Sequence, residues 1–169
     1  MSHMFYECRG LKYLDLSSFK AEGILDMGSM FFGCESLTSI NTFNFDTSLV
    51  INMESMFYDC SSVLSLDLSK FSTQNVNNME KMFYNCNSMT SLVISNFRTN
   101  KVTDMEAMFL DCSLLKELDI SNFNFKNVLH MRSMFYNCSK DLLYKIMIQN
   151  KDIKNDVYDI FSNIFSKNK

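Results

Sequence analysis

Along residues 102–112, "VTDMEAMFLDC", apolar side chains stand at Val102, Met105, Met108, Phe109 and Cys112. Steps of 3, 3, 1 and 3 predict one face of a short helix. Thr103 followed by Glu106 fits a capping box at its start. The residue before each cysteine is Glu7, Gly33, Asp59, Asn85, Asp111 or Asn137. Most are of the types that tolerate a left-handed, helix-ending conformation, so each cysteine is expected just past a helix. A different period governs residues 62–71, "SVLSLDLSKF". There Val63, Leu66 and Leu68 point one way and Asp67 the other, which predicts a strand of about three to five residues. Equivalent inward sets are Leu11/Leu14/Leu16, Met89/Leu92/Ile94 and Leu115/Leu118/Ile120.

The two halves recur together. Cys8, Cys34, Cys60, Cys86, Cys112 and Cys138 follow one another at a single unvarying interval. Met-Phe pairs keep the same step from Met4-Phe5 to Met134-Phe135, and so do Phe19 to Phe123, Ile24 to Val128 and Met27 to Met131. No insertion or deletion falls between residues 4 and 133. Such translation is the mark of a solenoid, in which one unit cannot bury its own apolar face and must offer the same shape to the next. Stacked units would set their strands about 4.8 Å apart in a parallel sheet. The run L-x-x-L-x-L is a leucine-rich-repeat pattern. The expected fold is an α/β solenoid with short parallel strands on one face and short helices on the other. Residues 1–140 hold about five 26-residue repeats and a partial one, and residues 141–169 a degenerate last repeat with a terminal helix.

That helix is read from Val157, Ile160, Phe161, Ile164 and Phe165, an amphipathic pattern capped by Asn155 or Asp156. It is expected to cover the last repeat. At the other end, Met1-Ser2-His3-Met4 matches the tail of a repeat, as in Met27-Gly28-Ser29-Met30. The first unit therefore offers an uncovered edge, open to self-association.

Six cysteines invite disulfides, a metal site or buried thiols. Neighbouring ladder positions about 5 Å apart are within bonding range. No C-x-x-C pair supplies a metal cluster. The cysteine takes an apolar position in every unit, which favours a free thiol packed as a small apolar filler, a core ladder from Cys8 to Cys138.

Composition narrows the rest. Net charge is −3, made of +2 over residues 140–169, with six Lys/Arg and four Asp/Glu, and −5 over the remainder. Such mild acidity gives no footprint for nucleic acid. No apolar run reaches the roughly 18 residues of a membrane span. The start "MSHMFYECRG" has no secretion-signal pattern. His3 and His130 occupy unrelated positions, and no phosphate loop, H-E-x-x-H or Ser/His/Asp set is legible. An enzyme is not expected, nor a cofactor. The candidate recognition surface is the outward side of the strands: Tyr13, Asp15, Ser39, Asn41, Ser65, Asp67, Ser91, Val93, Glu117 and Asp119. A second row, Tyr6, Phe32, Tyr58, Tyr84, Leu110 and Tyr136, is either packed against its neighbours or an exposed stripe.

The unit "MFYDCSSVLSLDLSKFSTQNVNNMEK", residues 56–81, resembles the BspA-like leucine-rich-repeat surface proteins in their MF-x-x-C-x-x-L-x-x-L-D-L-S-x-F-x-T-x-x-V-x-x-M form. Residues 34–46 depart from it, with Thr42 in place of an inward Leu. The resemblance implies a right-handed solenoid that displays a binding surface, a protein or glycan partner, and a place at the cell surface or outside the cell. It implies no catalytic residues. A cytoplasmic scaffold, or a structural segment of a longer protein, is the alternative expectation.

Overall fold

The computed structural model describes residues 1–19, 22–42 and 45–149. The expected helix over residues 157–165 lies outside them. The elements, in chain order, are β1 (Tyr13–Asp15), β2 (Ser39–Asn41), β3 (Ser65–Asp67), β4 (Ser91–Val93) and α1 (Lys140–Gln149). The strands pair in parallel and in repeat register: β1 with β2 through Leu14 and Ile40, β3 with β4 through Leu66 and Leu92. They form two separate two-stranded sheets, not the continuous one expected. Residues 117–119 hold no strand, although Leu115, Leu118 and Ile120 are buried as the pattern predicted.

The short helices are absent. α1 is the one α-helix among the described residues, and the segment 102–112 is a run of tight turns. Its equivalents show why. The amides of Met30, Phe32 and Cys34 bond back to the carbonyls of Met27, Ser29 and Phe31, each at 3.2 Å. The alternate amides, of Met27, Ser29, Phe31 and Gly33, leave the unit. They reach the carbonyls of Asn52, Glu54, Met56 and Tyr58 in the next one, at 3.0, 2.8, 2.9 and 2.8 Å. An α-helix would spend all of these amides internally. Turns also place residues three apart on one side, so the apolar spacing fits either structure.

Two residues per unit take positive φ. The residue before each cysteine does so as expected: Glu7 (52°), Gly33 (68°), Asp59 (57°), Asn85 (55°), Asp111 (62°) and Asn137 (59°). Four positions earlier His3, Ser29, Ser55, Lys81, Ala107 and Ser133 do the same, at 52° to 60°, with no residue type to announce it. A left-handed non-glycine residue costs about 1–2 kcal/mol, which the bonds between units offset. The expected capping box is replaced as well. The Asp104 carboxylate accepts from the Glu106 amide (2.9 Å), while the Thr103 hydroxyl donates to the Asn77 carbonyl of the preceding unit (3.2 Å).

The core is a set of ladders. Phe31, Phe57, Phe83, Phe109 and Phe135 are fully buried and stack with centroids 5.2 to 5.7 Å apart. Met27, Met53, Met79 and Met105 run beside them, also fully buried. Every described cysteine is a free thiol. Cys34, Cys60, Cys86 and Cys112 are buried and Cys138 is half-buried, but Cys8 is exposed because no unit stands in front of it among the described residues. Beyond filling space, each thiol from Cys34 onward donates to the carbonyl of a phenylalanine in the preceding unit. Cys60 meets Phe31 at 3.3 Å, Cys86 meets Phe57 at 3.2 Å and Cys112 meets Phe83 at 3.1 Å.

Burial pushes the Cys34 thiol up to about 11 and Cys138 to about 12, and drives Cys60, Cys86 and Cys112 well above the usual thiol range. A maleimide reagent at pH 8 is therefore expected to label Cys8 within minutes and the other five only after denaturation, read by mass spectrometry. The same shift sets an alkaline limit. A thiol held protonated by folding stabilises the fold fully below its unfolded value, about 8.5. That contribution is lost as pH climbs from there toward the folded values. The urea midpoint should fall between pH 8.5 and 11, and a Cys86→Ala background should flatten the fall.

α1 takes over where the sixth strand would stand: one repeat beyond residues 117–119 lie residues 143–145, inside the helix. Ser139 caps it, its hydroxyl accepting from the Leu142 amide (3.2 Å). Leu142, Leu143 and Ile146 are buried, and the Lys145 ammonium donates to the Lys116 carbonyl (3.3 Å) and the Glu117 carboxylate (3.2 Å).

Candidate functional site

The outward strand positions lie where the alternation placed them. Tyr13, Asp15, Ser39, Ser65, Asp67, Ser91, Val93, Glu117 and Asp119 are exposed, and Asn41 is half-buried. The three aspartates close the strands as well as facing solvent. Asp15 accepts from the Ser17 amide (2.8 Å), Asp67 from Ser69 (2.9 Å) and Asp119 from Ser121 (3.0 Å). Hydrogen bonds from those serines hold all three carboxyls below their ordinary value, so they stay ionised at neutral pH.

Four of the ten positions are gathered around one cleft. Ser91 and Val93 of β4 lie on one bank, Glu117 and Asp119 on the other, with Thr90, Ser95 and Lys116 at the margins. Its volume is about 500 Å³. The main chain at 117–119 forms no strand pair with β4. Tyr13, Asp15, Ser39, Asn41, Ser65 and Asp67 stand outside it, spread over the remaining strands.

The aromatic row resolves both ways. Tyr6, Phe32, Tyr58 and Tyr84 stack face to face with centroids 4.8, 4.4 and 4.4 Å apart, so the packed reading holds for their faces. Their edges line the surface: Phe32, Tyr58 and Tyr84 are half-buried, while Tyr6 and Tyr136 at the two ends are exposed. Burial, then the neighbouring Tyr84, pushes the Tyr58 phenol up. Phe32 and Tyr58, stacked on both faces, have no free face for a sugar ring or a cation and are confined to edge contacts.

One buried polar ladder escaped the sequence reading. Thr47, Thr73 and Thr99 are at most 1% exposed. The Thr73 hydroxyl donates to the Arg98 carbonyl (3.0 Å) and accepts from the Arg98 amide (2.7 Å). Thr47 does the same with Ser72, and Thr99 with Asn124. Their common spacing was the available signal. Thr42 is buried too, as its place in an inward position implied. His130 is exposed and joins a line of parallel bridges from Asp26 through Asn52, Asn78 and Asp104.

Among the described residues no group of three His, Cys, Asp or Glu side chains is placed to hold a metal ion, and no helix is long and apolar enough to cross a membrane. Units of equal length, joined by main-chain bonds in constant register, with constant buried ladders and a varying strand face, define a repeat protein. The chain belongs to the family described as "Mycoplasma protein of unknown function, DUF285", which matches residues 1–93 and again residues 61–169. Comparison with curated proteins found no match, and comparison with solved structures found none either.

Proposed function

We propose that this chain is a non-enzymatic recognition module, a right-handed leucine-rich-repeat-like solenoid of the BspA-like kind that presents its strand face to a protein or glycan at a cell surface or outside the cell. One contrast supports the reading. The buried Met, Phe and Cys ladders keep the same residue from unit to unit, while the outward strand pair changes: Tyr13/Asp15, Ser39/Asn41, Ser65/Asp67, Ser91/Val93, Glu117/Asp119. A rigid frame carrying a variable polar face is what a specificity surface requires. The test is saturable binding to intact cells and to purified matrix proteins. Asp67→Lys and Asp119→Lys together should weaken it about tenfold, since reversing rim charges turns attraction into repulsion. Binding that is absent, or indifferent to both changes, counts against the reading.

A structural role, as a scaffold or a stacking segment of a longer protein, is favoured by a different observation. In the first unit Met4 is 47% and Tyr6 42% exposed, where their counterparts Met30 and Phe32 are buried and half-buried. The carbonyls of Met4 and Tyr6 have no donor among the described residues, whereas those of Met30 and Phe32 accept from Phe5 (2.9 Å) and Glu7 (2.6 Å). An edge of that kind invites another unit. Light scattering on a dilution series reads it: a mass that grows with concentration supports association, and a constant single-chain mass opposes it.

A further inference from the structure

We propose that the loops after β3 and β4, with the loop one repeat further on, form a basic ridge that takes an acidic polysaccharide, a chain of sulfated or carboxylated sugars. The ridge lies off the strand face, so failure of one surface leaves the other standing.

The chain is acidic as a whole, but its charge is sorted around the coil. Residues 69–77, 95–103 and 121–129 hold Lys70, Arg98, Lys101 and Lys126 and not one Asp or Glu. Residues 52–63, 78–89 and 104–115 carry Glu54, Asp59, Glu80, Asp104, Glu106 and Asp111 against Lys81 alone. A local excess of one sign attracts a partner of the other sign whatever the net charge. Lys70 stands near Asp67, whose carboxyl it helps to hold ionised. Arg98, Lys101 and Lys126 are exposed and make no ion pair among the described residues.

Repeat register brings these three together. Phe97 and Thr99 are buried, so Arg98 and Asn100 alternate with them and turn outward on one side. Lys101 follows at a corner closed by the Val102 amide on the Thr99 carbonyl (3.1 Å). Its ammonium donates to the Asn75 side-chain oxygen of the preceding unit (2.7 Å). Lys126 is the counterpart of Asn100 one unit on. The two loops are kept in step by the Asn124 amide on the Thr99 hydroxyl (2.7 Å) and the Asn127 side chain on the Asn100 carbonyl (2.7 Å). Arg98 and Lys126 therefore face the same way, one strand spacing (about 4.8 Å) and two residues (about 6.6 Å) apart.

What stands between the cations selects the class of polyanion. Gln74 and Asn100 are exposed beside them, and an amide both donates and accepts, as sugar hydroxyls require. Leu129 is the one exposed large apolar side chain in the three stretches, and none of their aromatic rings is exposed. A single-stranded nucleic acid needs rings on which its bases stack, and a protein partner needs aromatic or apolar anchors. Cations and amides without such anchors favour a hydrophilic chain of charged sugars.

The probes are an oligosaccharide of heparin and one of hyaluronan, run against the full chain by titration calorimetry beside neutral dextran, an oligodeoxythymidine strand and polyglutamate. An acidic glycan should bind, the preferred one showing whether sulfate or carboxylate is read. Its affinity should fall about tenfold between about 50 and 200 mM salt. Arg98→Gln, Lys101→Gln and Lys126→Gln together should weaken it about tenfold. Lys12→Gln, Lys116→Gln and Lys140→Gln remove the same charge from elsewhere and should change it by less than about twofold, since distant charges are screened. All six positions are exposed, so unchanged circular dichroism and unchanged thiol protection certify the fold. Equal losses in the two triple variants, no binding of either acidic glycan, or equal or tighter binding of the DNA strand, polyglutamate or dextran overturns the inference.

Discussion

Replacing Phe83 by alanine is expected to lower the unfolding free energy by about 3–5 kcal/mol, the range for emptying a fully buried phenylalanine site. The ring is sandwiched between Phe57 at 5.7 Å and Phe109 at 5.5 Å, with Met82 and Cys86 buried beside it. The stacked backbones on either side are tied by main-chain bonds at 2.9 Å (Phe57 to Met82, Phe83 to Met108), so they cannot collapse into the void. A loss of that size is a large share of the stability of a domain this long, about 5–15 kcal/mol. Phe5→Ala is the control. Phe5 stacks on one neighbour only and is half-buried, so its loss should be about 1–2 kcal/mol. Urea unfolding followed by circular dichroism measures both, and equal losses would contradict a ladder whose stability comes from being covered on two sides.

The second large effect is expected at Thr73. Thr73→Val keeps the shape and removes the hydroxyl, stranding the amide and carbonyl of Arg98 without their shared partner. The site is 1% exposed, so water cannot replace it. Each buried group left unpaired costs about 1–3 kcal/mol, which puts the loss of both at about 2–6 kcal/mol. Thr38→Val removes a bond of similar length, from its hydroxyl to the Lys12 carbonyl at 2.9 Å, but in an exposed position. That change should stay within about 0.5 kcal/mol. If the two variants melt together, the threonine ladder is not the clip between units that its geometry describes.

How much of this was legible depends on what a side-chain pattern encodes. Translation by one repeat makes each buried side chain meet its own copy, so the Phe, Met and Cys ladders could be read directly. So could the left-handed residue before each cysteine, since Gly33, Asp59 and Asn85 announce it. The helices could not be told from turns, because spacing of three fits both and the fate of alternate amides leaves no trace in side-chain identity. Ser29, Ser55, Lys81 and Ala107 take positive φ with no residue type in common. The strand face was predicted residue by residue. The missing pairing between β4 and residues 117–119 was not, since their sequences match those of the paired strands. α1 had a signal that went unused: Leu142, Leu143, Ile146 and Met147 follow a capping Ser139 at helical steps.

The constant register of the bonds between units carries one consequence for how such a chain can change in length. The amide of Phe31 reaches Met56, that of Phe57 reaches Met82 and that of Phe83 reaches Met108, always the same number of positions on. A single residue gained or lost inside one unit would slide the rings, thiols and hydroxyls of that unit off their counterparts in its neighbours, while the units beyond keep register with one another. Gain or loss of one whole copy disturbs nothing beyond the splice. Gain or loss of whole copies is thus the change in length that this register tolerates, and each added copy brings one more pair of outward strand residues with it.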